Sequence, residues 1–181
     1  MRIITGIARG KQIKTLDGND VRPTSQKVKE AVFSAIQFDI EGRRVLDLFA
    51  GSGQLGLEAL SRGAESAVFV DSSNASVKVI KQNIENTGFD DKAKVYLSDY
   101  SSFTAMSRDT FDIVFLDPPY SKGFLVPSIK SVLPLMSDYG IIICEYPPQV
   151  EIPESIGGFT VYRTYRYGKI NVSIYRKGAD K

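Results

Sequence analysis

The sequence predicts a single α/β domain: a mostly parallel sheet with helices on both faces, closed by a C-terminal antiparallel hairpin. Three observations lead there. Short continuous apolar runs alternate with helix-period segments through the middle of the chain, the pattern of a sheet buried on both faces. Two later segments alternate at period two around Tyr167-Gly168. A length of 181 residues with 43% apolar content fills one core well and cannot fill two large ones.

Residues 2–15 alternate loosely around Gly6 and Gly10 and suggest a short hairpin, followed by Asp17-Gly18-Asn19-Asp20 with turn chemistry. Pro23-Thr24 then supplies a helix start. Val28, Ala31, Val32, Ala35 and Ile36 recur at intervals of 3, 4, 7 and 8 residues, which places one apolar stripe on a helix ending near Phe38. Candidate strands follow at Arg44–Phe49, Ser66–Asp71, Ala93–Ser98, Asp112–Asp117 and Gly140–Glu145, with helices at Leu55–Arg62, Asn74–Thr87 and Phe124–Leu135. The hairpin strands Phe159–Tyr165 and Lys169–Tyr175, expected at the sheet edge, bring the sheet to seven. Arg163, Arg166, Lys169, Arg176 and Lys177 mix there with Tyr162, Tyr165, Tyr167 and Tyr175, and alternation makes packing the first reading of these side chains and binding the second.

Composition narrows the chemistry. Cys144 is the only cysteine and is read as a small buried strand residue; with no histidine, an intramolecular disulfide, the usual zinc ligands and an imidazole base are all missing. No apolar run approaches the ~20 residues that span a bilayer, and Met1-Arg2-Ile3-Ile4-Thr5-Gly6 lacks a signal-peptide apolar region, so a cytoplasmic protein is expected. The net charge of +2 hides an asymmetry: residues 1–29 carry +5 and the remainder −3. Such a basic end suits a phosphate backbone, with a solvated basic face as the alternative.

Two motifs carry chemistry. Asp117-Pro118-Pro119-Tyr120 ends the apolar run Ile113–Leu116. Neither proline has an N–H, so the turn offers carbonyl oxygens and a carboxylate without competing donors, and Tyr120 adds a flat face; together they would cradle the amino group of a planar base. Upstream, Gly51-Ser52-Gly53-Gln54-Leu55-Gly56 satisfies G-x-G-x-x-G, with Asp71 at a later strand end. Asp47, leading into those glycines, would oppose a pyrophosphate but welcome a ligand carrying an ammonium and a sulfonium, which points to S-adenosylmethionine over a dinucleotide. Asp71 would accept from ribose hydroxyls under either reading, and Asp99 is placed either to accept from an adenine amine or to be an ordinary loop aspartate.

Asp47-Leu48-Phe49-Ala50-Gly51-Ser52-Gly53, the run Leu55 to Ala64 and Asp117-Pro118-Pro119-Tyr120 resemble the RsmD-type bacterial methyltransferases that modify a guanine amine in small-subunit ribosomal RNA. Arg2-Ile3-Ile4-Thr5-Gly6, Arg9-Gly10-Lys11, Arg22-Pro23-Thr24 with Lys27, and Tyr167-Gly168-Lys169 are similar to the same family, so the resemblance spans nearly the whole chain. It departs at Gln54, where a small apolar residue is frequent, and at Lys11, where arginine is. The resemblance implies a Rossmann-like class I methyltransferase fold at residues 40–181, preceded at 1–39 by a basic hairpin and helix that contacts RNA. It further implies that Asp47, Phe49, Gly51, Gly53, Asp71, Asp99 and Thr24 hold S-adenosylmethionine, that Asp117, Pro118, Pro119 and Tyr120 form the catalytic cradle, and that Arg2, Arg9, Lys11, Arg22 and Lys27 grip 16S rRNA in the 30S subunit or its assembly intermediate. A metal-free monomer is expected. The same amine chemistry on DNA adenine or protein glutamine, or a non-catalytic RNA-binding assembly factor, are the alternatives.

Overall fold

The computed structural model describes residues 1–16 and 26–178. Its core is one eight-stranded sheet. The strands are β1 (Arg44–Asp47), β2 (Ser66–Asp71), β3 (Ala93–Leu97), β4 (Phe111–Leu116), β5 (Met136–Tyr146), β6 (Ser155–Ile156), β7 (Phe159–Tyr167) and β8 (Ile170–Lys177), in the order β3-β2-β1-β4-β5-β8-β7-β6. β1 to β5 are parallel, whereas β8 and β7 run antiparallel beside them. Strand order reverses between β1 and β4, and the crevice outside the carboxyl ends of such strands is where open α/β sheets bind ligands.

The helices are α1 (Gln26–Ala35), α2 (Gln54–Ser61), α3 (Asn74–Thr87), α4 (Tyr100–Met106) and α5 (Leu125–Val132). Two apolar clusters lie on the two faces of the sheet. Val45, Phe69, Ile113, Phe115, Ile141 and Ile143 pack with α1, α2 and α3 on one face; Leu46, Val70, Val114, Leu116, Ile142 and Cys144 pack with α4 and α5 on the other. Period-two alternation within each strand thus feeds both layers, as the apolar runs predict.

Several expectations shift in detail. β8 is inserted between β5 and β7, so the hairpin is an integral part of the sheet; the added two-residue β6 forms its edge and raises the strand count from seven to eight. Tyr175 is buried while Tyr162 is exposed, which separates the inward and outward tyrosines of the hairpin. Arg176 pairs with Asp39 at 2.7 Å and lies over Tyr162, and Lys177 meets Asp138 at 2.6 Å. α4 was not foreseen, because Tyr100-Ser101-Ser102 looks like loop chemistry; Asp99 starts it as an N-cap.

The N-terminal segment is built into the same core. Arg2 bridges Gln12 in a minimal hairpin, and Ile3, Ala8 and Ile13 join the cluster of α1 and α2. Its anchor is Glu58, a fully buried carboxylate in the last half of α2. Glu58 accepts from the Ile4 N–H (2.8 Å) and Thr5 N–H (3.0 Å) and pairs with Arg62 at 2.9 Å and Lys29 at 3.4 Å. Lys29, counted in the sequence among the basic residues of the chain start, is therefore buried and donates to the Arg2 carbonyl. Gly6 follows with φ +89°, and a Cβ there would sit 1.7 Å from the Ser61 carbonyl oxygen, so the close approach admits only glycine.

Removing the carboxylate charge strands Lys29 in an apolar environment. Glu58→Gln is expected to lower stability by about 3–5 kcal/mol, the cost of breaking a buried ion pair. Adding Lys29→Met should recover much of that loss, with urea denaturation reading both.

Candidate active site

The glycine loop leaves β1 pinned to both neighbours: Leu48 N–H donates to the Phe115 carbonyl on β4 at 3.2 Å and Ala50 N–H to the Val70 carbonyl on β2 at 3.0 Å. Gly51 (φ +55°) and Gly53 (φ +78°) take left-handed conformations that turn the chain into α2. The third glycine of the motif has another purpose. A Cβ on Gly56 would lie 2.4 Å from Phe69 Cε1, so Gly56 lets α2 settle onto β2. Asn83 of α3 donates to the Ser52 carbonyl and to the Lys14 carbonyl, both at 2.9 Å, tying loop, helix and N-terminal segment together.

Asp47 lies beneath this loop, 2% exposed, with Oδ2 accepting from the Gly56 N–H at 3.0 Å. Burial pushes its pKa up to about 7; the Gly56 bond opposes that rise and the neighbouring Asp71 charge adds to it. Asp71 at the end of β2 accepts from Gly51 N–H and Ser73 N–H, both at 2.8 Å, and so closes the loop from the other side. Gln54, the first residue of α2, presents a buried Oε1 with no hydrogen-bond partner among the described residues. The buried Asp47 carboxyl, the unpartnered Gln54 Oε1 and the partly exposed Asp71 carboxylate form a donor-seeking, cation-seeking set. They fit the ammonium and sulfonium of S-adenosylmethionine and misfit a pyrophosphate.

Asp99 has a structural duty. Its carboxylate accepts from the backbone and hydroxyls of Ser101 and Ser102 at 2.7–3.0 Å, and these bonds hold its pKa well below the usual carboxylate range. It stays at the strand end where an adenine contact was expected, but one oxygen already accepts three bonds. Phe49 packs on Tyr100 at 5.5 Å between ring centroids, and Tyr100 on Phe124 at 5.4 Å. This aromatic row links the glycine loop to the second motif.

Asp117-Pro118-Pro119-Tyr120 follows β4 directly, and β4 is hydrogen-bonded to β1 in register, with Asp47 opposite Phe115. The two motifs therefore meet at the sheet's switch point. Pro118 is buried, Asp117 partly so, and Tyr120 is 38% exposed, its hydroxyl donating to Glu145 Oε1 at 3.0 Å. Beside the tetrad opens a cavity of about 220 Å³ with Pro118, Phe124, Leu125, Tyr146 and Val150 among its walls and Glu145 as its buried carboxylate. Sequence reasoning missed Tyr100, Phe124 and Glu145. Glu145 is the last residue of the expected strand Gly140–Glu145 and the penultimate residue of β5, and the signal available was a lone acid at the end of an apolar run beside the Asp117 strand.

Of the basic residues, Arg2, Arg9, Lys11 and Lys27 are exposed. Lys11 donates to the Asn86 and Thr87 carbonyls at 3.1 Å, at the C-terminal end of α3. A helix of this length runs ~20 Å, so Lys11 is about that far from Asp71 beyond its other end. Arg22 and Thr24 lie outside the described residues. Among those described, no group of three or more Cys, Asp or Glu could hold a metal ion, and no helix is long and apolar enough to cross a membrane.

A parallel sheet reversed between β1 and β4, a glycine loop over a buried aspartate and an Asp-Pro-Pro-Tyr turn at the adjoining strand end define a Rossmann-like class I methyltransferase. The chain belongs to the family described as conserved hypothetical protein 95, whose model matches residues 1–176. It is 39% identical over 186 residues to YlbH of Bacillus subtilis, covering 98% of this chain and 99% of that protein. Ribosomal RNA small subunit methyltransferase D of Escherichia coli is 31% identical over 182 residues, covering 99% and 91%. The solved structure of Escherichia coli yhhF superposes with a TM-score of 0.89 at 31% identity, covering 99% of each chain.

Asp47 makes cofactor binding and stability respond oppositely to pH. Its folded pKa of about 7 exceeds the ordinary 3.8, so without ligand the folded state holds the extra proton and loses stability as pH rises from about 4 through 7. Asp47→Asn keeps an oxygen for Gly56 and removes that slope. Its melting temperature should exceed wild type at pH 8 and match it at pH 4. By calorimetry, S-adenosylmethionine should bind wild type more tightly as pH rises from 6 to 8, and bind the variant at least about tenfold more weakly at pH 8.

Proposed function

We propose that this protein transfers a methyl group from S-adenosylmethionine to the exocyclic N2 amine of a guanine in small-subunit (16S) ribosomal RNA, in the cytoplasm and as a monomer. The observation that carries this reading is the adjacency of the Asp117 tetrad and the Asp47 loop across the paired strands β4 and β1. A relative named for small-subunit ribosomal RNA methylation, aligned over 99% of this chain, supports the substrate class.

S-adenosylmethionine, when bound, supplies an electrophilic methyl on a sulfonium. The chain's own residues prepare the acceptor. A guanine amine is a weak nucleophile because its lone pair is delocalised into the ring. Asp117 and the Pro118 carbonyl accept its N–H groups and favour a pyramidal nitrogen, while the Tyr120 ring fixes the base plane for in-line approach. The proton lost from the methylated nitrogen is acidic enough to pass to water, so a chain without histidine lacks nothing essential. The base must first leave its stack, at a few kcal/mol, which is cheapest in a loop or end of folded RNA.

Specificity beyond the base comes from shape. The sheet and its N-terminal segment account for the whole described structure, with no separate module for reading a duplex major groove. A 30S particle or an assembly intermediate offers the needed shape, and Arg2, Arg9, Lys11 and Lys27 of residues 1–39, with Arg22, grip its phosphates.

Labelled methyl transfer to 30S particles, naked 16S rRNA, DNA and protein, followed by nucleoside and amino-acid analysis, tests this directly. N2-methylguanosine from a ribosomal substrate is expected; methylation confined to adenine in DNA or glutamine in protein would replace the reading, and no transfer to any substrate would favour a non-catalytic assembly factor. Asp117→Ala should retain S-adenosylmethionine binding and lose turnover by at least about a hundredfold.

A further inference from the structure

The cavity beside the Asp117 tetrad carries a second acidic group that the mechanism above does not use. Glu145 is 6% exposed, at the carboxyl end of β5. The register pairs Leu116 with Cys144, so Asp117 and Glu145 are the next residues on two neighbouring strands. Both acids thus sit at the same end of the sheet. The cavity holds buried Glu145 among largely apolar walls, Pro118, Phe124, Leu125, Tyr146 and Val150, with the exposed Glu151 also lining it, and its about 220 Å³ suits one planar base rather than a longer ligand.

We infer that this cavity receives the extruded base and that Glu145 is its specificity-determining residue, accepting from the guanine N1–H beside the amine that Asp117 and Pro118 hold. The inference rests on the guanine reading above and deepens it. A carboxylate has about four acceptor directions and no donor. The Tyr120 hydroxyl takes one of them, at Oε1, and that bond sets the angle of the carboxylate against the tetrad's aromatic face. Guanine is the standard base that offers two adjacent donors, N1–H and the exocyclic N2–H, on its Watson–Crick edge. Adenine presents an unprotonated N1 beside its amine, and cytosine an unprotonated N3, so each would set a lone pair against the carboxylate in a site with little water. In this division of labour Asp117 and Pro118 hold the reacting amine while Glu145 reads its neighbour on the ring.

The distinguishing substrate is 2-aminopurine, which keeps the exocyclic amine but has an unprotonated N1. The wild-type product on 16S rRNA locates the modified guanosine; rRNA with 2-aminopurine at that position, made by ligation and reconstituted into 30S particles, is then compared with the guanosine version. Wild type should methylate the 2-aminopurine particle about 10- to 100-fold more slowly. Glu145→Gln can turn its amide oxygen to guanine N1–H or its NH2 to the unprotonated N1 of 2-aminopurine, so it should bring the two rates to within about threefold of each other. Its S-adenosylhomocysteine affinity and melting temperature should stay near wild type. An unchanged preference in Glu145→Gln would overturn the inference. Should that variant not fold, equal wild-type rates on the two particles would overturn it as well. Absence of N2-methylguanosine from the guanosine particle would instead overturn the guanine reading on which this one stands.

Discussion

The buried carboxylate of Glu58 is the constraint on which the rest of the structure leans. An ionised group in an apolar layer is tolerable only when surrounded by donors, and here the N-terminal segment supplies two backbone N–H groups, α1 supplies Lys29 and the end of α2 itself supplies Arg62. Satisfying Glu58 therefore requires residues 2–6 to lie across α2, and Gly6 to pass so close to Ser61 that a side chain is impossible. The same helix begins at the glycine loop. One polar network thus fixes the far end of the helix whose near end shapes the site.

The second structural necessity is the reversal of strand order. Asp47 and Asp117 are far apart in sequence and meet only because β1 and β4 are hydrogen-bonded neighbours. On either side the sheet is covered by helices, so the gap at the carboxyl ends is where backbone groups and side chains converge on solvent. The loop after β1 uses this gap by bonding to both flanking strands, and so gains rigidity that a glycine-rich segment lacks by itself.

What the sequence disclosed follows the range of each interaction. β2 and α3 were predicted with their observed bounds, because capping and periodicity are local: Ser73 caps α3 and Gly88 ends it. The two motifs were legible for the same reason. Lys29 and Glu58 were not, since charged residues read as solvent-facing until a partner from elsewhere in the chain is known. Glu145 and Phe124 were missed likewise: their place in the cavity is set by the β4–β5 register and by the turn after Tyr120, neither written in their neighbours. Asp99 was ambiguous in the sequence, and the structure shows why, since a cap and a ligand acceptor call for the same residue type in the same place.

The electrostatic design separates two tasks that would otherwise conflict. Asp47, Asp71, Asp117 and Glu145 all lie within one residue of the carboxyl ends of β1, β2, β4 and β5, an acceptor-rich set that favours a cationic ligand and an amine-bearing base. The same charges repel phosphate. On the reading proposed, phosphate would be held at a distance from these groups: the N-terminal segment bonds Ser61 at the C-terminal end of α2 and, through Lys11, the C-terminal end of α3, the helix ends remote from the carboxyl ends of the strands. Lys11, about a helix length from Asp71, would make such a footprint wide compared with one nucleotide. On that reading, a wide grip with an acidic centre would give the backbone its affinity and leave a single base, turned out of its stack, as the part of the polymer that the carboxylates attract.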